Sequence, residues 1–175
     1  MNQKIETNEN IDLNRIQIAG FKSDITDFKL VIEELNKRYP KCVIQLMDSD
    51  AVAGTEQVLH STIHAIKSFS RNENIASDMG LEICVRTSGQ RQISQAIRML
   101  GIRNGKINIC AVAVDCEPNI MEDLVDILGF RDDSVLEPDT NKLKSIYKIS
   151  DTQLATNPDI AKILMEKTAL LIIDT

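Results

Sequence analysis

The sequence predicts a single α/β (α+β) domain in which helices pack on a mixed β-sheet. Apolar runs with strand periodicity alternate with runs of helical periodicity along the 175 residues, which is the order expected of a sheet covered by helices. The length suits one domain, and no linker-like tract divides the chain. We therefore assign residues 11–175 to one domain and predict that the polar residues 1–10 are disordered.

Four short apolar runs predict the strands. Residues 13–21 alternate between apolar and polar and end near Gly20, as in a strand with one buried face. Residues 42–47 and 81–86 are short runs rich in strand-forming side chains. Residues 107–114 are almost wholly apolar, which is typical of a central strand buried on both faces.

Helical periodicity predicts the remaining elements. A first helix begins at a cap formed by Ser23 or Asp24 and stops before Pro40. The other predicted helices cover residues 55–71, 90–100, 119–128, 142–149 and 158–172. Residues 48–54 and 131–140 are predicted loops, and the acidic side chains of the second loop have the spacing of a solvated loop and not of a calcium site.

The composition excludes several classes of function. Four Phe, two Tyr and no Trp are too few for a platform that binds single strands through rows of stacked aromatics. No apolar run approaches the ~20 residues of a membrane span, and the polar N-terminus is unlike a signal peptide. We expect a cytoplasmic protein with no membrane partner.

Charge is unevenly distributed along the chain. Between residues 60 and 106, seven basic and three acidic residues give a charge of about +4, which leaves about −10 for the rest of a chain whose net charge is −6. The negative total argues against general affinity for nucleic acid, whereas the basic middle indicates a local site for an anion.

The cysteines are predicted to be buried free thiols in a reducing compartment. Cys42, Cys84 and Cys110 lie in apolar runs, and none of the three forms a Cys-x-x-Cys pair with Cys116 or with another cysteine.

One segment has the features of a phosphate site. A predicted strand leads into a turn and the start of a helix, where free backbone N–H groups favour an anion. The candidate residues are Arg86 and Arg91 for phosphate oxygens, Ser88 and Gly89 at the helix start, and Gln90 and Gln92 for base edges. The alternative is that Ser88 only caps the helix and that both arginines are solvated.

A second candidate is one edge of the helix over residues 55–71. His60, His64, Lys67 and Arg71 follow one another at spacings of four, three and four residues, so they are neighbours along the helix. No third metal ligand accompanies the histidines, and we predict no metal and no cofactor. No nucleophile motif or nucleotide-hydrolysis motif occurs, so we predict that the chain is not an enzyme.

The last predicted helix is more apolar than a single core-facing stripe requires. We interpret its residues Ile160, Ile163 and Leu164 as a contact with a partner protein. The alternative is a terminal helix that is buried in the domain itself.

An ordered series of short motifs resembles one family. The matching residues are 50–54, 58–60, 64–65, 74–76, 82–83, 88–93, 96–97, Gly101, Gly105, 133–136 and 146–149. In this order they resemble the small tRNA-binding accessory subunit of the KEOPS complex, which makes threonylcarbamoyl-adenosine in tRNA. The series covers most of residues 13–173.

The resemblance implies a non-catalytic protein that binds the 3′ CCA end of tRNA and the small atypical kinase/ATPase subunit of that complex. It also implies archaeal or eukaryotic cytoplasm. Placed on this chain, Lys67, Arg71, Arg86 and Arg91 contact phosphates, while Ile75 packs against unpaired bases. Two alternatives stay open, namely a regulator of the kinase that binds protein only and an enzyme that uses the Ser88-Gly89 turn for a phosphorylated small molecule.

Overall fold

The computed structural model describes residues 10–173, with side chains described as far as Leu171. Strands β1 (Ile16–Ile25), β2 (Val43–Asp48), β3 (Gly105–Val114) and β4 (Phe130–Arg131) form one sheet in the order β2-β3-β1-β4. Each strand pair is antiparallel, so the sheet is antiparallel where the sequence predicts a mixed one. The predicted fold class, one α/β (α+β) domain with helices on a sheet, is confirmed. The predicted disorder of residues 1–10 lies outside the described residues except at Asn10.

The helices surround this sheet. In chain order they are α1 (Phe28–Arg38), α2 (Thr55–Ser70), α3 (Met79–Ser88), α4 (Ile93–Leu100), α5 (Ile120–Asp123), α6 (Val125–Leu128), α7 (Thr140–Tyr147), α8 (Asp151–Thr156) and α9 (Ile160–Ile173). Short 3-10 turns follow β2 at Ser49–Ala51 and precede α7 at Asp133–Leu136. Among the described residues, no helix has both the length and the apolar character needed to cross a membrane.

Strand β3 divides the hydrophobic core in two. Its residues Cys110, Val112 and Val114 point into one cluster, which also contains side chains of α2, α3 and α4. The intervening Ile109, Ala111 and Ala113 point into a second cluster with α1, α5 and α6. The predicted central strand buried on both faces is therefore confirmed, because successive side chains of a strand point to opposite faces.

Helix α1 begins later than predicted. The side chain of Asp27 accepts a hydrogen bond from Lys29 N at 3.0 Å and caps the helix. Ser23 and Asp24 instead belong to β1, which continues to the buried Ile25 opposite Gly105. Because β1 extends to Ile25, helix α1 begins at Phe28 and not directly after Ser23 or Asp24.

The prediction of a strand over residues 81–86 is wrong, because they lie in helix α3. Asp78 caps the helix by accepting a hydrogen bond from Leu81 N at 3.0 Å, and Gly89 ends it in the left-handed region at φ 66°. Nearly every side chain of α3 is buried. A helix that is buried all round shows no amphipathic period, so its sequence resembles that of a central strand.

The prediction of four free thiols is also wrong in part. Cys84 and Cys110 are buried and free, but Cys42 and Cys116 form a disulfide with a Cα–Cα distance of 5.0 Å. These two cysteines flank the terminal pair of the β2–β3 ladder, Val43 opposite Val114, and the ladder therefore brings them together.

Candidate nucleic-acid interface

The edge of α2 presents the predicted row of polar side chains. His60, His64 and Lys67 are half-buried, and Arg71 is exposed directly after the helix. The two imidazole Nε2 atoms lie 3.2 Å apart, within hydrogen-bond distance. Burial, followed by the nearby His60, Arg86, Lys67 and Arg71, lowers the pKa of His64 to about 4. Burial also lowers the pKa of His60, so both rings are neutral at pH 7.

A small pocket lies beside this row. Its volume is about 100 Å³, and it is lined by His64, Lys67, Ser68, Arg71, Glu73, Arg86 and Leu171. The pocket thus joins the end of α2 to α3 and to the last turns of α9. Sequence reasoning missed α9 here, although polar Lys167 and Thr168 interrupt the apolar run of that helix and were a usable signal.

Arg86 lines the pocket but is not an accessible cation as predicted. Its side chain is 2% exposed, and Nε donates a hydrogen bond to Glu82 Oε1 at 2.8 Å. The expected exposure is corrected because helix α3 turns this guanidinium inward, where the buried Glu82 compensates its charge.

Ser88 and Gly89 also differ from the prediction, since they end a helix and do not open one. Ser88 Oγ is buried and donates to Val85 O at 3.0 Å while it accepts from Gln90 N at 3.1 Å. A Cβ on Gly89 would lie 3.0 Å from Lys167 Cβ, so α9 occupies the space that was predicted for a ligand. The phosphate site expected at a helix N-terminus is therefore absent from this turn.

The segment between α3 and α4 keeps three accessible candidates. Arg91 and Gln92 are exposed and Gln90 is half-buried. Arg91 Nη1 donates to Leu171 O at 3.3 Å, which places its guanidinium at the end of α9 and next to the pocket. Arg91, Lys67 and Arg71 are thus the accessible cations around the pocket that sequence reasoning had selected.

Ile75 lies in the loop between α2 and α3 and is half-buried. Its backbone N–H donates to Glu82 Oε2 at 3.0 Å, and the N–H of Ala76 donates to the same oxygen at 2.7 Å. Sequence reasoning did not select Glu82, because its role depends on a fold in which α3 faces this loop.

The predicted partner residues on α9 are not on the surface. Ile160, Ile163 and Leu164 are buried in a cluster with Leu143 and Tyr147 of α7. The expectation that they are exposed is wrong, because α9 packs simultaneously against α2, α3 and α7. Leu170, one of the last residues of the helix, is 54% exposed.

The described side chains include no group of three or more His, Cys, Asp or Glu residues arranged to hold a metal ion. The fold and the site define a class of protein with an antiparallel sheet between two helical layers, in which Lys67 and Arg71 line a pocket between α2, α3 and α9.

This chain belongs to the family of the kinase binding protein CGI-121, whose model matches residues 22–171. The resemblance noted in the sequence is thereby confirmed. The chain is similar to the regulatory protein Cgi121 of Methanocaldococcus jannaschii, with 34% identity over 128 residues, which are 73% of this chain and 81% of that protein. It is also similar to the KEOPS complex subunit Cgi121 of Pyrococcus abyssi, with 34% identity over 89 residues, which are 51% of this chain and about half (52%) of that protein.

Proposed function

We propose that this protein is a non-catalytic subunit of a KEOPS complex that binds the 3′ CCA end of tRNA and the small atypical kinase/ATPase subunit. In this role it supports threonylcarbamoyl-adenosine modification of tRNA. The observation that carries the RNA part is a basic surface on a chain of net charge −6, formed by Lys67 and Arg71 in the pocket and by Arg91, which donates to Leu171 O in the pocket's lining. The kinase part is supported by the family's description, and membership of a KEOPS complex by the Pyrococcus relative's name.

In this proposal Lys67, Arg71 and Arg91 contact the phosphates of the single-stranded tail. Unpaired bases pack against Ile75, and Gln90 or Gln92 hydrogen-bonds their edges. Arg86, Ser88 and Gly89, which were expected to contact RNA, instead hold the surrounding backbone in place.

In this proposal the kinase subunit contacts the exposed end of α9. Ile160, Ile163 and Leu164 hold the helix in the domain and leave Leu170 as an exposed apolar side chain of its final turns. An exposed apolar side chain on a helix can enter a hydrophobic groove of a partner protein.

A second candidate function is a regulator that binds the kinase but no RNA. The burial of Arg86 favours it, because one of the four predicted phosphate contacts is lost to an internal ion pair. Fewer contacts reduce the electrostatic part of RNA affinity.

The test is the affinity of the purified protein for one tRNA and for the same tRNA without its 3′ CCA, each over a range of salt concentrations. We expect binding that depends on the tail, and a plot of log affinity against log salt with a slope of about −2, as three phosphate contacts to a single strand predict. Equal or absent binding of the two tRNAs would favour the regulator that binds protein only.

A further inference from the structure

Glu82 is a fully buried carboxylate with an unusual set of partners. Its side chain is 0% exposed, and Oε2 accepts the backbone N–H groups of Ile75 and Ala76 at 3.0 and 2.7 Å. Oε1 accepts from Arg86 Nε at 2.8 Å and from Ser68 Oγ at 3.2 Å. One carboxylate thus connects α2, the loop between α2 and α3, and α3 itself.

The ion pair between Glu82 and Arg86 also contacts the loop at Glu73. Arg86 Nη2 donates to Glu73 O at 3.4 Å, and Glu73 N donates to Ser68 O at 2.8 Å. Asn74 Nδ2 donates to Ala76 O at 2.8 Å and closes the loop on itself. Hydrogen bonds to the side chains of Glu82 and Arg86 therefore fix the backbone of this loop at Glu73, Ile75 and Ala76.

Stability alone does not explain a buried ion pair at this place. Removing two charges from water costs several kcal/mol for each ion, and apolar residues of similar volume are often equally stable. What an apolar pair could not do is accept two consecutive backbone N–H groups, which would then be buried without partners. The chemistry of Glu82 is therefore matched to one particular backbone conformation of this loop.

We infer that Glu82 is a positioning residue that makes RNA binding specific for the single-stranded tail. It acts through the backbone of Ile75 and Ala76, in the loop whose Glu73 lines the same pocket as Lys67 and Arg71. The three cations of the proposed site supply general affinity for phosphate, and the fixed loop distinguishes tailed from tailless RNA. This inference rests on the proposed function of the same surface.

The inference predicts that the preference for tailed RNA can be lost without a change in the affinity for tailless RNA. Loss of the Glu82 contacts abolishes the preference for tailed RNA and leaves the affinity for tailless RNA and its salt dependence unchanged. A residue that serves only to stabilise the fold would change both affinities together, or neither.

The test uses the double variant Glu82→Leu/Arg86→Leu, which removes both acceptor oxygens, because Glu82→Leu alone leaves the charge of Arg86 buried and uncompensated. Gln57→Leu is the matched control, since Gln57 is a fully buried side chain that accepts from Ala53 N at 2.9 Å and donates to Thr87 O at 3.0 Å, away from the loop. For each protein, the affinities for tRNA with and without 3′ CCA are measured, together with amide hydrogen exchange at Ile75 and Ala76.

In the double variant we expect faster exchange at both amides, a ratio of the two affinities near one, and an affinity for tailless tRNA within about twofold of wild type. The control keeps the wild-type ratio. A folded double variant that retains the wild-type ratio would overturn the inference, as would unchanged amide exchange. If wild type itself shows no preference for the tail, the proposed function fails first, and the specificity assigned to Glu82 fails with it.

Arg86→Lys provides a test that does not depend on the folding of the double variant. It keeps a cation beside Glu82 and with it the two backbone contacts of the carboxylate, so the preference for tailed tRNA should persist even if the protein unfolds at a lower temperature. Loss of that preference while Ile75 and Ala76 remain protected from exchange would contradict the inference.

Discussion

At the scale of single residues, Arg91 is one of the exposed side chains in the proposed RNA site. One N–H of its guanidinium donates to Leu171 O, in the lining of the pocket between α2 and α9. Its remaining donors match the geometry of a phosphate. The basic pattern of the sequence selected this residue correctly as accessible, but selected the buried Arg86 with it, because charge along a chain does not reveal which way a helix faces.

Replacing Arg91 with Glu is expected to weaken tRNA binding about tenfold or more, because a phosphate contact becomes a repulsion. Lys37→Glu on α1 is the matched control, since it makes the same change of charge at an exposed position of a helix that packs on the other core. Binding assays on both variants check the prediction. Equal losses would mean that net charge alone governs binding and would remove Arg91 from the site.

The lowered pKa of His64 predicts that the stability of the folded protein depends on pH. Burial lowers its pKa from 6.5 to about 4, so between these values the unfolded chain binds the proton more readily than the folded protein. Stability should therefore decrease as the pH falls from 6.5 towards 4, and this loss should be smaller in His64→Asn. Denaturant unfolding at several pH values compares the two proteins, and curves that fall in parallel would refute the assignment to this ring.

At the scale of elements, the two least amphipathic helices were the hardest to interpret from sequence. Helix α3 resembles a strand and α9 resembles an interface, because helices or strands pack on several sides of each and leave no single buried stripe. Helix α2 and strand β3 were predicted correctly, because α2 has one polar edge and β3 crosses the centre of the sheet. Local patterns thus indicate burial but not the element that provides it.

Helix α9 gives a prediction that separates docking from folding. Leu170→Glu should abolish or strongly weaken binding of the kinase partner and leave the protein folded, because this side chain is 54% exposed. Leu30→Glu on α1, at 60% exposure, is the matched control and should bind normally. Pull-down with the purified kinase subunit measures both. Normal binding by Leu170→Glu would place the interface elsewhere.

Leu164→Glu is the contrasting variant on α9, because it is expected to disrupt folding and not only docking. That side chain is 1% exposed, so a charge there should unfold the domain and abolish every interaction at once. Circular dichroism of this variant should report loss of structure before any binding is measured.

At the scale of the whole molecule, the uneven charge could be predicted from the sequence, whereas the disulfide could not. The basic middle segment could be counted along the chain, but the fold divides its residues, since Lys67, Arg71 and Arg86 line one pocket and Arg103 and Lys106 another. The Cys42–Cys116 bond could not be predicted, because the two cysteines are separated by 74 residues and meet only through the pairing of β2 with β3.

Removing the disulfide should lower the stability of the whole domain. For a closed loop of this length, the loss of chain entropy in the unfolded state is worth about 4 kcal/mol. Urea unfolding of Cys42→Ser/Cys116→Ser tests this value. A reductant should destabilise wild type by a similar amount and leave the double variant unaffected, whereas a variant as stable as oxidised wild type would refute the contribution.

The position of β3 also sets the order in which the molecule can be assembled. Strand β1 pairs with β3 from Ile16 opposite Val114 to Ile25 opposite Gly105, and β2 pairs with the other edge of β3. During synthesis, both N-terminal strands are made long before the strand that joins them. Helices α1 to α4 lie between β1 and β3 in the chain, and the sheet must wait for residue 114. Short helices draw most of their stability from packing on a core, so these helices and the core on both faces of β3 are completed only after β3 has been made.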